Sequence, residues 1–317
     1  MFKLPFNIPR SLKKIDLSDP ICLIGSCFSD EMSKHLSRNK FNHLSNPFGT
    51  IYNPHSIVKL LSGQVSSNRI TESQGVSYHW DAHGVISGLS KKEVEKSFEH
   101  KQIELQNFLS SAKWLIITLG TSFVYVHSDA GVVANCHKVP ATSFKKRLLN
   151  QKEIIDQFSE LHSHLSGINQ KLNILFTISP VRHIRDGLIE NNRSKAILLD
   201  AVHTLTELYD NVGYFPSYEI LIDELRDYRF YQSDMIHPSE EASEYIWNMF
   251  SDSYFDQETK KILSEWGKIR TALNHKPFQP KSEPHQKFLK STLKKLLSMN
   301  GKMDVTVELE QLKNQIK

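Results

Sequence analysis

The sequence predicts an α/β protein: a parallel sheet with helices packed on both of its faces. Three observations carry that prediction. Apolar runs of strand length alternate with segments of helical period along the chain. The runs are continuous rather than alternately apolar and polar, which is the pattern of strands buried on both faces. Each run also gives way to a small or polar turn, and in open parallel sheets sites gather at the carboxyl ends of the strands.

Taken in order, the first run is Ile21–Gly25, followed by a helical pattern over 30–38. The second is Trp114–Leu119, with a helical pattern around 153–165 after it. The third is Asn173–Ile178, followed by 194–209, where Ala196, Leu199, Val202, Leu205 and Leu208 recur at helical spacing. Segments 75–90 and 123–139 read as short extended excursions at the rim, the second turning at Ser128-Asp129-Ala130-Gly131. Past about Thr271 the texture changes to scattered prolines and then to a lysine-rich amphipathic stretch over 287–297. The expected organisation is one α/β domain over 1–270 and a basic helical extension over 271–317, its helix docking on the domain or on a partner.

Composition excludes several classes. With 317 residues, 39% of them hydrophobic, the chain can bury a sizeable core. Lys and Arg number 39 against 35 Asp and Glu, a net charge of +4 with no long block of one sign before the tail, which argues against a dedicated nucleic-acid binder. The three cysteines, Cys22, Cys27 and Cys136, form no CxxC pair, so neither a disulfide framework nor a structural zinc site is expected. The N-terminus lacks a signal-peptide pattern, and no stretch approaches the roughly 18 apolar residues of a membrane span. The expectation is a soluble cytoplasmic protein without cofactor or metal.

The chemistry is concentrated at two places. Ser26 follows the first strand at a turn into a helix, where Ser26 and Cys27 N–H groups and the helix dipole favour a developing oxyanion. A serine hydroxyl needs a base, and Ser233-Asp234-Met235-Ile236-His237-Pro238 supplies His237 with an acid, Asp234, three residues before it. Pro238 and Ser239-Glu240-Glu241 mark a helix start directly afterwards. Cys27 is a rival nucleophile, but small-residue packing behind the turn is the favoured reading, with its side chain directed away from that of Ser26. Arg182 and His183 follow the third run and reach the same rim, either as binders of an anionic or sugar substrate or with His183 holding the loop. His79, His83, Cys136 and His137 show no coherent metal-ligand spacing.

Four segments together resemble the GSCFA family: Gly25-Ser26-Cys27-Phe28, Asn46-Pro47-Phe48-Gly49-Thr50-Ile51-Tyr52-Asn53-Pro54, Ala134-Asn135-Cys136-His137-Lys138 and Ser179-Pro180-Val181-Arg182-His183. The resemblance covers about residues 20–250, with Ser29 where the family's naming motif has alanine. Its relation to the SGNH (GDSL-like) hydrolases implies a three-layer, flavodoxin-like fold with Ser26, Asp234 and His237 as a triad. It also implies Gly49 as an oxyanion glycine. The superfamily's second oxyanion residue, an asparagine, falls in Gly120-Thr121-Ser122, where asparagine is missing; Ser122 or Asn135 then takes its place. The expected activity is hydrolysis of an O-acyl ester through an acyl-enzyme, with a small-molecule or carbohydrate ester as substrate. An O-acyltransferase acting on a glycan or metabolite and a catalytically decayed binding protein are the alternatives.

Overall fold

The computed structural model describes residues 6–316. Its centre is a five-stranded, all-parallel sheet of β1 (Ile21–Gly25), β2 (His43–Ser45), β6 (Trp114–Leu119), β10 (Asn173–Ile178) and β11 (Val212–Phe215). The strands lie in the order β11-β10-β6-β1-β2, which places β1 beside β6 at the point where the chain reverses its direction of winding. The three-layer, flavodoxin-like fold expected from the sequence is therefore the observed one.

The three apolar runs became the three central strands, buried at every position. Successive side chains on a strand face opposite ways, so each strand feeds two cores. Cys22, Ile24, Leu115, Ile117, Ile174 and Phe176 pack on one face against α2 (Pro54–Leu61), α3 (Lys91–Ser111), α4 (Gln151–Ile168) and α5 (Gly187–Leu208). Ile21, Leu23, Trp114, Ile116 and Leu175 pack on the other against α1 (Cys27–Arg38) and α7 (Glu240–Tyr254). Between β11 and α7 the chain makes the single turn α6 (Ser217–Glu219), continued by a π-helical turn over Ile220–Leu225.

The rim excursions are two small antiparallel sheets. β3 (Ile70–Ser73), β4 (Val76–His79) and β5 (Ser87–Gly88) form one, and β7 (Phe123–His127), flanked by β8 (Gly131–Val133) and β9 (Phe144–Leu148), forms the other. Buried Asp81 joins Lys59 of α2 at 2.8 Å and Arg69 at 2.5 Å, pinning the first excursion to the main body.

The expected boundary at residues 270 and 271 falls inside α8 (Gln257–Leu273). Ile262, Trp266 and Ile269 of α8 share a separate small core with Leu289 and Leu296 of α9 (Glu283–Leu297) and Leu312 of α10 (Thr306–Lys313). The basic helix α9 thus docks within the chain, leaving Lys287, Lys290, Lys294 and Lys295 in solvent. Among the described residues no helix is long and apolar enough to cross a membrane.

Candidate active site

β1 ends in Gly25 at φ +142°, where a Cβ would stand 2.1 Å from the Thr118 carbonyl oxygen, so only glycine lets β1 approach β6 this closely. Asn46 fixes the turn that follows. Its Oδ1 accepts from Gly25 N–H at 2.8 Å and its Nδ2 donates to Asp30 of α1 at 2.7 Å. Ser26 is the N-cap of α1, and its hydroxyl accepts the Phe28 N–H at 3.3 Å. A side-chain oxygen there satisfies one of the donors that a helix start leaves unpaired.

On the other side of the cleft, Ser239 caps α7 and holds the preceding loop. Gln232 N–H donates to the His237 carbonyl at 2.8 Å and Ser239 N–H to that of Phe230 at 2.8 Å, closing the segment on itself. Within it His237 Nδ1 lies 2.7 Å from Asp234 Oδ2, while Asp234 Oδ1 accepts from the Ile236 and His237 N–H groups at 2.9 and 3.0 Å. The His237 bond first, then those two, draws the Asp234 carboxyl down to about 2. An ionised carboxylate on Nδ1 selects the tautomer that leaves Nε2 as the free base.

Ser26, Cys27, Tyr52, Gly120, Ser179, Val181, Arg182, His183, Ile236 and His237 enclose a cleft of about 250 Å³. It therefore gathers Ser26 after β1, Arg182 and His183 after β10 and His237 before α7, with Gly120 after β6 in its wall. Cys27, expected behind the turn, instead forms part of the cleft wall and is the more exposed of the pair, Ser26 being 1% accessible.

The oxyanion candidates are placed elsewhere. Ser122 is fully buried, its N–H donating to Ser194 Oγ at 2.7 Å and its hydroxyl to Ser194 Oγ at 3.0 Å, so it locks β6 to α5. Asn135 turns its Oδ1 to the His137 N–H at 3.0 Å, in the loop after β8. Gly49 N–H closes a turn on the Asn46 carbonyl at 2.7 Å, and Ser26 N–H continues the sheet ladder to Thr118 O at 3.0 Å. The Cys27 N–H remains: at the first position of α1 it has no acceptor within the helix.

Arg182 reaches across the cleft. Its N–H donates to Ile236 O at 3.3 Å, its Nη1 to Met235 O at 3.1 Å, and its guanidinium lies 4.0 Å over the Tyr231 ring and 5.0 Å over Tyr228. His183 is held by its own N–H on Asn191 Oδ1 at 2.9 Å, and burial pushes its imidazole pKa down. Lys195 lies outside every motif named above. It is 1% accessible, donates to the Ser179 carbonyl at 2.7 Å beneath the cleft, and burial lowers its ammonium to about 7. The signal was a lysine four residues after Asn191 and three before Leu198, on the stripe of α5 that faces inward.

A second hollow of about 280 Å³ lies between α1 and α7, where Arg38 pairs with Glu244 at 2.5 Å and Lys34 with Glu31 at 2.5 Å. Burial takes His35 there down to about 4, and its ring stacks on Trp247 at 5.0 Å. His79 and His137 are likewise spent, on the Phe98 ring at 3.6 Å and the His79 carbonyl at 2.8 Å. Among the described residues no group of three or more His, Cys, Asp or Glu could hold a metal ion.

Fold and site define an α/β protein of the flavodoxin-like strand order whose cleft opens at the switch point between β1 and β6. The chain belongs to the GSCFA family, whose model matches residues 20–250, and the model for the C-terminal domain of GSCFA domain proteins matches 266–317. Among solved structures it is similar to a family 3 carbohydrate esterase of Clostridium thermocellum, at 10% identity over 78% of this chain and 98% of that one, with a TM-score of 0.35. A family 3 carbohydrate esterase from Talaromyces cellulolyticus is similar at 7% identity, over 78% and 99% of the two chains, with a TM-score of 0.37. No curated protein matches the chain.

Proposed function

We propose that this cleft is the active site of an acyl hydrolase that cleaves short-chain O-acyl esters. The observation that carries the reading is the His237–Asp234 pair, joined at 2.7 Å, on a cleft shared with the start of α1. A carboxylate-oriented imidazole beside a nucleophile-bearing turn is the machinery of acyl transfer. His237 takes the proton of a nucleophile from the β1–α1 turn and returns it to the leaving alcohol, while Asp234 holds the imidazole and stabilises its charged form. The Cys27 N–H at the positive end of α1 supports the oxyanion.

The size of the cleft supports a small substrate. At about 250 Å³ it lies just under the ordinary range of ligand pockets, roughly 300–1,000 Å³, and fits a small acyl group better than a long chain. The Tyr52 ring, 6.4 Å from that of His183, offers a flat wall to an alcohol moiety such as a sugar ring. The test is a panel of acetyl, butyryl and octanoyl esters with acetylated sugars among them, assayed on wild type, His237→Ala and Asp234→Asn. Acetyl esters should be preferred. His237→Ala should lower kcat/KM by about 10²–10⁴, the usual contribution of a general base. Wild-type turnover no faster than that of His237→Ala would sink the reading.

A further inference from the structure

We infer that the nucleophile of this cleft is the Cys27 thiol, and that Ser26 serves as the helix cap. The inference rests on the acyl-hydrolase reading and names the atom that carries the acyl group.

The hydroxyl oxygen and the N–H of Ser26 are both engaged. Its hydroxyl accepts from Phe28 N–H, its N–H donates to Thr118 O, and 1% of the residue is accessible. To attack, the hydroxyl would have to leave the bond that caps α1, at a cost of about 1 kcal/mol. Even then Ser26 could offer no oxyanion donor. The next residue has what Ser26 lacks. Cys27 is the first residue of α1, is partly exposed, lines the cleft with His237, and keeps its N–H for an incoming oxyanion. Nucleophile and oxyanion donor on one residue is the arrangement acyl transfer uses.

The local charges set how the sulfur reacts. Burial, then Asp30, pushes the thiol up to about 11, while its own N–H and Lys195 pull the other way. Cys27 therefore rests as a neutral thiol, and the sulfur becomes nucleophilic as its proton leaves for His237. Among the described residues His237 Nε2 makes no hydrogen bond, so it is free to accept that proton. Sulfur adds to the ester carbonyl, the C–O bond to the alcohol breaks, and the proton passes from the imidazolium to the leaving oxygen. Water then attacks the thioester, gives a proton to His237 and releases the acid, and that proton returns to the sulfur. The net reaction is ester plus water to acid plus alcohol.

The experiment follows p-nitrophenyl acetate hydrolysis by the full chain, with acid quenching in the first turnover and peptide mass spectrometry, in wild type and in Cys27→Ala, Ser26→Asn and His237→Ala. Asparagine caps helices as well as serine does but has no hydroxyl to acylate. Ser26→Asn should keep at least about a tenth of the rate and a near-native Tm, whereas Cys27→Ala should fall to the His237→Ala background, a loss of about 10² or more. Any trapped acetyl group should map to Cys27, be released by neutral hydroxylamine as a thioester is, and be absent in His237→Ala. An acetyl group on Ser26, or turnover that survives in Cys27→Ala, overturns the assignment and leaves the hydrolase reading standing. Absence of turnover in wild type removes both.

Discussion

Asp234 is exposed, yet both its oxygens are committed, one to the His237 ring and the other to two backbone N–H groups. Those bonds lower its pKa from 3.8 to about 2. A folded pKa below the unfolded one means that the carboxylate stabilises the native loop fully above the unfolded value and loses that effect as the pH falls through the folded value. The Tm difference between wild type and Asp234→Ala should therefore persist down to about pH 4 and close between about pH 4 and 2. A difference already gone at about pH 6 would show that the carboxylate is not held this way in solution. Asp234, His237 and the turn at Ser26 were legible in the sequence because each belongs to a local pattern, a strand end or a helix start. Ser122 and Asn135 were misplaced because their partners, Ser194 and the His137 N–H, come from tertiary and loop geometry that no motif encodes. Lys195 escaped because the stripe read from Ala196, Leu199, Val202, Leu205 and Leu208 is right only at Val202 and Leu205, Ala196 and Leu208 being exposed. In the structure the buried stripe reaches those two through Asn191, Lys195 and Leu198, so the first half of α5 is about one residue out of step.

At the scale of elements, the cleft depends on keeping the loop after β10 beside the loop before α7. Arg182 makes that junction with two hydrogen bonds and a stack on two tyrosines, and under the proposed function we assign it the positioning of the loop that carries His237. Arg182→Ala should lower kcat/KM by about tenfold or more, mostly through kcat, because a base displaced by an ångström loses orientation rather than substrate affinity. Arg182→Lys should restore little, since an ammonium has neither the planar fork nor the stacking face of a guanidinium. A rise in KM with kcat unchanged would return Arg182 to substrate binding. The central strands were readable because burial on both faces leaves a continuous apolar signature. β2 and β11 were not, since three- and four-residue edge strands with half-buried positions carry no such run. The antiparallel partner β9, with exposed Lys145, Lys146 and Arg147, is likewise a strand by virtue of its pairing with β7 rather than its composition.

At the scale of the whole molecule, α1 spans from the cleft to the C-terminal helices. Cys27 opens it, and at its far end the Arg38 carbonyl accepts from Trp266 Nε1 of α8 at 2.9 Å. Leu17 packs against both the second sheet core and the C-terminal core, and Lys40 pairs with Glu308 of α10 at 2.8 Å while lying 5.5 Å over the Trp266 ring. These ties run through buried side chains, Trp266 being 2% accessible, so the C-terminal helices should unfold with the sheet in one transition. Trp266→Ala removes a large buried ring and a hydrogen bond and should cost about 3–5 kcal/mol, lowering the single Tm by roughly 5–8 °C. Scanning calorimetry distinguishes the arrangements. One peak displaced as a whole means that the C-terminal helices brace α1 and, through it, the turn that carries Cys27. Two peaks, of which only the smaller moves, would mean that residues 266–317 fold as a separate unit and that the cleft draws no support from them.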